Sequence, residues 1–226
     1  MNLDEKIINA LKDLDYKEAT EIQKKAIPIA LKKRDILAAA QSGTGKTAAF
    51  LLPILTELLA NKQVDKPILR ALILVPTREL ATQISKAVSD FSKYMEVESL
   101  AMVGGVSTKE QEKKIAKGLD ILVATSGRLM EHLKNGTVDL SSVTTVVIDE
   151  VDTMLDMGFL EDIEKILPSV GPKRQIMMFS ATMNQNVKKL AKEFLTDPVV
   201  IEVAQQRSAV KIIDQQIVLV DEANKA

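Results

Sequence analysis

The sequence predicts an α/β protein built on an open, mostly parallel sheet with helices on both faces. Two observations carry that prediction. Short aliphatic runs, nearly continuous rather than alternating, recur at residues 35–40, 71–75, 99–103, 120–125, 145–149, 176–180 and 199–203. Strands buried on both faces read this way. Longer helical stretches lie between or beside them, at residues 47–59, 78–94, 109–117 and 184–195, with another at 5–14 ahead of the first strand. Strand–helix–strand repetition at this spacing implies parallel pairing with helices layered on both sides.

Composition agrees and excludes several classes. A chain of 226 residues, 46% hydrophobic and 27% charged with both signs mixed, has the apolar material for a real core. The formal net charge is −1, so broad charge neutralisation of a nucleic acid is excluded. Any such contact is local, made with few phosphates and many backbone N–H groups. There are no cysteines and one histidine, His132, which excludes disulfides, Cys-based metal sites and a His cluster. His132 falls inside a helical stretch and is expected at the surface. Met154, Met157, Met177 and Met178 read as core filler, and the pairs Lys113-Lys114 and Lys188-Lys189 as solvated faces. The amino terminus has no signal-peptide core, and the longest apolar stretch, residues 48–59, is too short for a bilayer and contains Pro53 and Glu57. A soluble, cytoplasmic, monomeric protein with no membrane contact is expected.

Two polar breaks punctuate the chain. Residues 61–67 read as a surface loop. Residues 204–211 read as a linker, after which 212–220 reads as a new strand before the sequence stops at Ala226. A lone strand cannot be a domain. The expected division is one domain over residues 1–207, with 208–226 forming a linker and the first strand of a second.

Ala40, Gln41, Ser42, Gly43, Thr44, Gly45, Lys46 and Thr47 fit the P-loop pattern, after a predicted strand and at the head of a predicted helix. The glycines let successive N–H groups turn toward one anion, and the helix start adds partial positive charge. Lys46 supplies a cation for the outer phosphates of a nucleotide, and Thr47 a hydroxyl for Mg²⁺. Asp149 and Glu150 end the apolar run 146–148. Ligands of parallel sheets bind beyond the carboxyl ends of the strands. Asp149 is therefore expected beside the P-loop, holding Mg²⁺, with Glu150 orienting or deprotonating the attacking water.

With these residues in place, the order of motifs resembles the first RecA-like domain of DEAD-box RNA helicases. The resemblance runs through Thr20-Glu21-Ile22-Gln23, the P-loop, Pro76-Thr77-Arg78-Glu79-Leu80, Gly104-Gly105, Thr125-Ser126-Gly127-Arg128, Asp149-Glu150-Val151-Asp152 and Ser180-Ala181-Thr182. It covers nearly the whole chain, with a Q-motif region at residues 1–28. The chain departs from the family pattern at Val151 (usually alanine), at Ser126 (usually proline), and at Asp15 and Ala19 (usually glycine and proline).

The resemblance implies ATP and Mg²⁺ as ligands, RNA gripped through its backbone as single strand or duplex, and a second RecA-like domain in cis that completes the ATPase. The activity it implies is that of an RNA-dependent ATPase or RNA helicase, nearly inactive as this half alone. An ATP-gated RNA clamp with little turnover and a DNA helicase of the same superfamily are the alternatives. Gln23 can donate and accept at once, as adenine N6 and N7 require, with Tyr16 stacking on the base. Thr20-x-x-Gln23 is equally a capping box for the following helix. Pro76, Thr77, Arg78, Gly104, Gly105, Thr125, Gly127 and Arg128 all follow predicted strands and should line one sheet edge. Each alone reads as a cap or a turn; together, in the family, they hold RNA. Asp152, Ser180 and Thr182 are expected to couple the nucleotide site to those loops.

Overall fold

A computed structural model describes residues 3–61 and 67–203. The expected strand at 212–220 and its linker lie outside the described residues, as does most of the loop at 61–67. Seven strands form one sheet: β1 Ile36–Ala39, β2 Ala71–Val75, β3 Ser99–Met102, β4 Ile121–Thr125, β5 Thr145–Ile148, β6 Gln175–Ser180 and β7 Val199–Glu202. Their spatial order is β3-β4-β2-β5-β6-β1-β7. Every pairing is parallel, where the sequence reading expected a mostly parallel sheet.

Alternation within the strands explains the unbroken apolar runs. In β2, Ala71, Ile73 and Val75 face one hydrophobic layer, while Leu72 and Leu74 face the other. The first layer packs under α1 Glu5–Asp13, α2 Glu21–Ala30, α3 Lys46–Ala60 and α4 Arg78–Phe91. The second packs chiefly under α6 Ser126–Lys134, α7 Val151–Asp156, α8 Leu160–Ile166 and α9 Gln185–Phe194, with α5 Thr108–Lys117 at its margin. Phe50 of α3 meets Phe179 of β6 with ring centroids 5.4 Å apart. Burying such rings is worth several kcal/mol apiece, on the order of 3–5 when judged by truncation to alanine.

The short helices α7 and α8 are not among the helical stretches read from the sequence. Gly158, at φ 83, turns the chain between them. This turn explains a misplaced residue. Met157, expected in the core, caps α7 and is 51% exposed, while Met154, Met177 and Met178 are buried as expected.

Candidate functional site

The carboxyl ends of β1, β5 and β6 meet at one place, because β6 lies between the other two. β1 ends beside β6, with Ala39 in register with Ser180 and the Ala40 N–H donating to the Ser180 carbonyl at 2.9 Å. The chain then turns through Gly43 (φ 80) and Gly45 (φ 93) into α3. At Gly45 a side chain is excluded twice over: φ lies in the left-handed region, and a Cβ would collide with the Gln23 amide. That amide is spoken for on both sides. Gln23 Nε2 donates to the Gly45 carbonyl at 3.1 Å, and Oε1 accepts from the Thr20 N–H at 3.0 Å. The capping box is present, and its glutamine also touches the P-loop. Tyr16 lies edge-on to Phe91, ring centroids 5.7 Å apart, and remains half-exposed. Asp15, at the family's glycine position, adopts φ 58, a conformation Asp tolerates better than most residues.

Lys46 opens α3 with its side chain only 6% exposed. Its Nζ is buried without a hydrogen-bond partner, and the Asp149 carboxylate stands 3.9 Å away. An ammonium held this way loses hydration and regains only the attraction of the Asp149 carboxylate. Burial pushes the Asp149 carboxyl up to about 6, against the pull of Lys46 and of the Glu150 N–H, which donates to Oδ1 at 2.9 Å. Glu150 sits at φ 53, left-handed for a residue with a Cβ, where β5 swings into α7. Such a backbone costs about 1–2 kcal/mol and persists only where its surroundings impose it.

Two residues on, Asp152 reaches the end of β6. Its Oδ2 accepts from the Thr182 N–H at 2.9 Å and from the Thr182 hydroxyl at 3.0 Å. Oδ1 and the Ser180 hydroxyl are both buried without a hydrogen bond of their own. Burial raises the Asp152 carboxyl, but the donors at the end of β6, the Thr182 hydroxyl foremost, outweigh it and leave the group below its ordinary value. Val151 is fully buried in the second apolar layer.

β3, β4 and β2 are neighbours, so the loops that follow them share one edge of the sheet. Thr77 caps α4, its hydroxyl accepting from the Leu80 N–H at 3.2 Å, behind a buried Pro76. The exposed Arg78 lays its guanidinium across Gly105, where a Cβ would stand 2.6 Å from Nη1. Gly104 and Gly127 have open space around them. Thr125 caps α6 without a side-chain hydrogen bond. Arg128 is held within the protein. Its side chain is 10% exposed, pairs with Glu131 at 3.0 Å and donates to the Val106 carbonyl at 2.9 Å.

His132 is the clearest correction. Expected at the surface, it is fully buried, its Nε2 3.0 Å from Gln111 Oε1 and its Nδ1 2.7 Å from the Thr137 hydroxyl. Burial first, and the Arg128 charge second, hold its pKa below the ordinary value. The i, i+3 spacing of Leu129 and His132 on α6 was the available signal for an inward face. Gln111 was not singled out in sequence at all.

Comparison with known proteins places these features in a group. A family model described as DEAD/DEAH box helicase matches residues 20–190. The chain is 42% identical over 219 residues to a probable ATP-dependent RNA helicase of Dictyostelium discoideum, covering 96% of this chain and 28% of that protein. It is 39% identical over 226 residues to a DEAD-box ATP-dependent RNA helicase of Helicobacter pylori, covering 100% of this chain and 45% of that one. It therefore spans less than half the length of these relatives. The crystal structure of a hypothetical ATP-dependent RNA helicase from Sulfolobus tokodaii superposes with a TM-score of 0.80 at 38% identity, covering 90% of this chain and 57% of the other. Among the described residues no helix is long and apolar enough to cross a membrane.

Proposed function

The chain belongs to the DEAD/DEAH box helicase family, and on that premise we propose that it is the ATP-binding half of an RNA-dependent ATPase that remodels RNA. The observation that carries the reading is Lys46: a buried ammonium with no hydrogen bond, at the head of a 15-residue helix, facing a buried carboxylate. A phosphate chain satisfies this arrangement. Lys46 takes the outer phosphates, and N–H groups of the turn and of the first turn of α3 take the inner ones.

The donor set also fits a divalent ion. Asp149 is a buried carboxylate lifted to about 6 by burial, and Thr47 offers a hydroxyl one residue from Lys46. Among the described residues no group of three or more His, Asp or Glu could hold a metal alone. That suits Mg²⁺, which keeps waters and takes phosphate oxygens rather than a full protein cage. Bound there, Mg²⁺ neutralises charge on the outer phosphates. Glu150, whose backbone is strained into place, accepts the proton of the attacking water. Gln23, with a second N–H and a second lone pair unused by the contacts above, reads adenine, and Tyr16 supports the base.

Pro76, Thr77, Arg78, Gly104, Gly105, Thr125, Gly127 and Arg128 form the RNA edge, through backbone groups and the Arg78 charge. Residues 1–207 make up this RecA-like unit, and 208–226 lead to a second such domain in cis that closes over the nucleotide. The test is phosphate release from the longer polypeptide containing both domains. RNA should stimulate it strongly, while residues 1–226 alone should stay near background, because an arginine finger contributes ~10³–10⁵ in rate. Vigorous RNA-stimulated turnover by residues 1–226 alone would contradict the division of labour.

A further inference from the structure

We propose that Gln111 and His132 are positioning residues for the Gly104-Gly105 turn, fixing through the Val103 carbonyl where that turn presents its backbone to a bound strand. The proposal rests on the reading of this sheet edge as an RNA grip.

The turn itself cannot hold a position. It has no side chains, Gly105 is at φ 75, and glycine loses more freedom on ordering than any other residue. It is held instead from three sides. Arg78 lies across Gly105, Arg128 donates to the Val106 carbonyl at 2.9 Å, and Gln111 Nε2 donates to the Val103 carbonyl at 3.1 Å. The first two residues belong to the motifs already described. Gln111 belongs to none of them.

The contacts of Gln111 have a direction. Because its amide nitrogen faces a carbonyl, its Oε1 faces His132, and that oxygen can only accept. His132 Nε2 therefore carries the hydrogen, which leaves Nδ1 as an acceptor 2.7 Å from the Thr137 hydroxyl, a group that also lies 3.1 Å from the His132 carbonyl. The result is a polarised chain, His132 to Gln111 to the Val103 carbonyl, ending one residue before the glycine pair. Both side chains are buried, Gln111 at 2% and His132 at 0% exposure. Burying two polar side chains is unfavourable unless every link is made, and an apolar pair would fill the space at lower cost. An apolar pair would not aim at a carbonyl. His132 also sits on α6 with Arg128, whose first turn holds Gly127, so the chain ties two of the three loops to a common frame.

The sequence contains one histidine, so its ring gives one pair of nitrogen resonances in a ¹⁵N-histidine-labelled chain. These should report the Nε2–H tautomer, and they should shift when a short single-stranded oligouridine is titrated to saturation, although the ring is fully buried. In parallel, Gln111→Met, which keeps the volume and removes both hydrogen bonds, should weaken oligouridine binding ~3–10-fold and leave ADP affinity unchanged. An unmoved ring resonance at saturating RNA would overturn the proposal. So would oligouridine affinity equal to wild type, or a parallel fall in ADP affinity. If Gln111→Met fails to fold, the wild-type resonance decides alone. Failure of the wild-type chain to bind oligouridine at all would overturn the RNA reading and this inference with it.

Discussion

Gln23 donates to the carbonyl of Gly45 at 3.1 Å, so the start of α2 and the phosphate loop are one hydrogen-bonded unit. The contact spans 22 residues of sequence and joins the helix cap to the P-loop. Gln23→Glu keeps the acceptor for the Thr20 N–H and loses the donor to Gly45. It should lower ADP affinity about tenfold or less, the weight of one or two hydrogen bonds, with α2 intact by circular dichroism. Wild-type chain should prefer ADP to GDP in the same calorimeter. Equal affinities for the two would remove Gln23 from base recognition.

Asp149 should trade stability for function. Its native pKa of about 6 exceeds the ordinary 3.8, so between pH 4 and 6 the folded chain holds a proton that the unfolded chain releases. Stability from this group falls as pH rises through that window and stays reduced above it. Asp149→Asn has no such titration. Relative to wild type it should gain stability across that window and keep the gain at pH 7.5, on the order of 1–3 kcal/mol. Urea unfolding at several pH values measures this. A variant less stable than wild type at pH 7.5 would mean that the carboxylate is satisfied within the protein.

His132 behaves in the opposite sense at acid pH. Its native pKa is depressed by burial and then by Arg128, with Glu131 and Glu112 opposing. The unfolded chain therefore binds the proton first as pH falls below about 6.5, and stability declines from there toward lower pH. His132→Phe should cost stability at pH 7.5 through the lost hydrogen bonds, yet flatten the wild-type decline between pH 6.5 and 5. An unchanged slope would show that the ring already titrates as if in water.

Much of this was legible in the sequence, and the limits are instructive. The bounds of β2 were readable because a strand buried on both faces announces itself as an unbroken aliphatic run. The P-loop was readable because strand, glycines, lysine and helix are contiguous. Contacts closed by distant residues were not. Nothing near Arg128 in sequence says that Val106, 22 residues away, takes its guanidinium. Nothing near Gln111 says that a histidine 21 residues on completes its amide. Met157 was misplaced because hydrophobicity is local, whereas the turn at Gly158 that expels it depends on where α8 must pack.

The Asp152–Thr182 contact should matter more to unwinding than to hydrolysis. It joins the segment after β5 to the end of β6 and uses none of the phosphate-facing groups. In the longer polypeptide, Ser180→Ala with Thr182→Ala should retain much of the RNA-stimulated ATPase while duplex unwinding falls far more. Val151 should be neutral in this respect, since its side chain is accommodated in the apolar layer and a filled site shaped for valine carries no overpacking penalty. A proportional loss of both activities would return Ser180-Ala181-Thr182 to the status of an ordinary strand-end turn.

The central claim is that the buried Lys46, whose ammonium has no hydrogen bond and only the Asp149 carboxylate at 3.9 Å, makes this a nucleotide phosphate site. Titrating Mg²⁺–ADP into the chain and into Lys46→Met by calorimetry tests it most directly. Methionine fills the same space without the charge, so the fold and melting temperature should survive. The wild-type chain should bind, and the variant should bind at least 10-fold more weakly, in line with the ~1.5–3 kcal/mol of a charged hydrogen bond. Wild-type affinity in Lys46→Met would contradict the account.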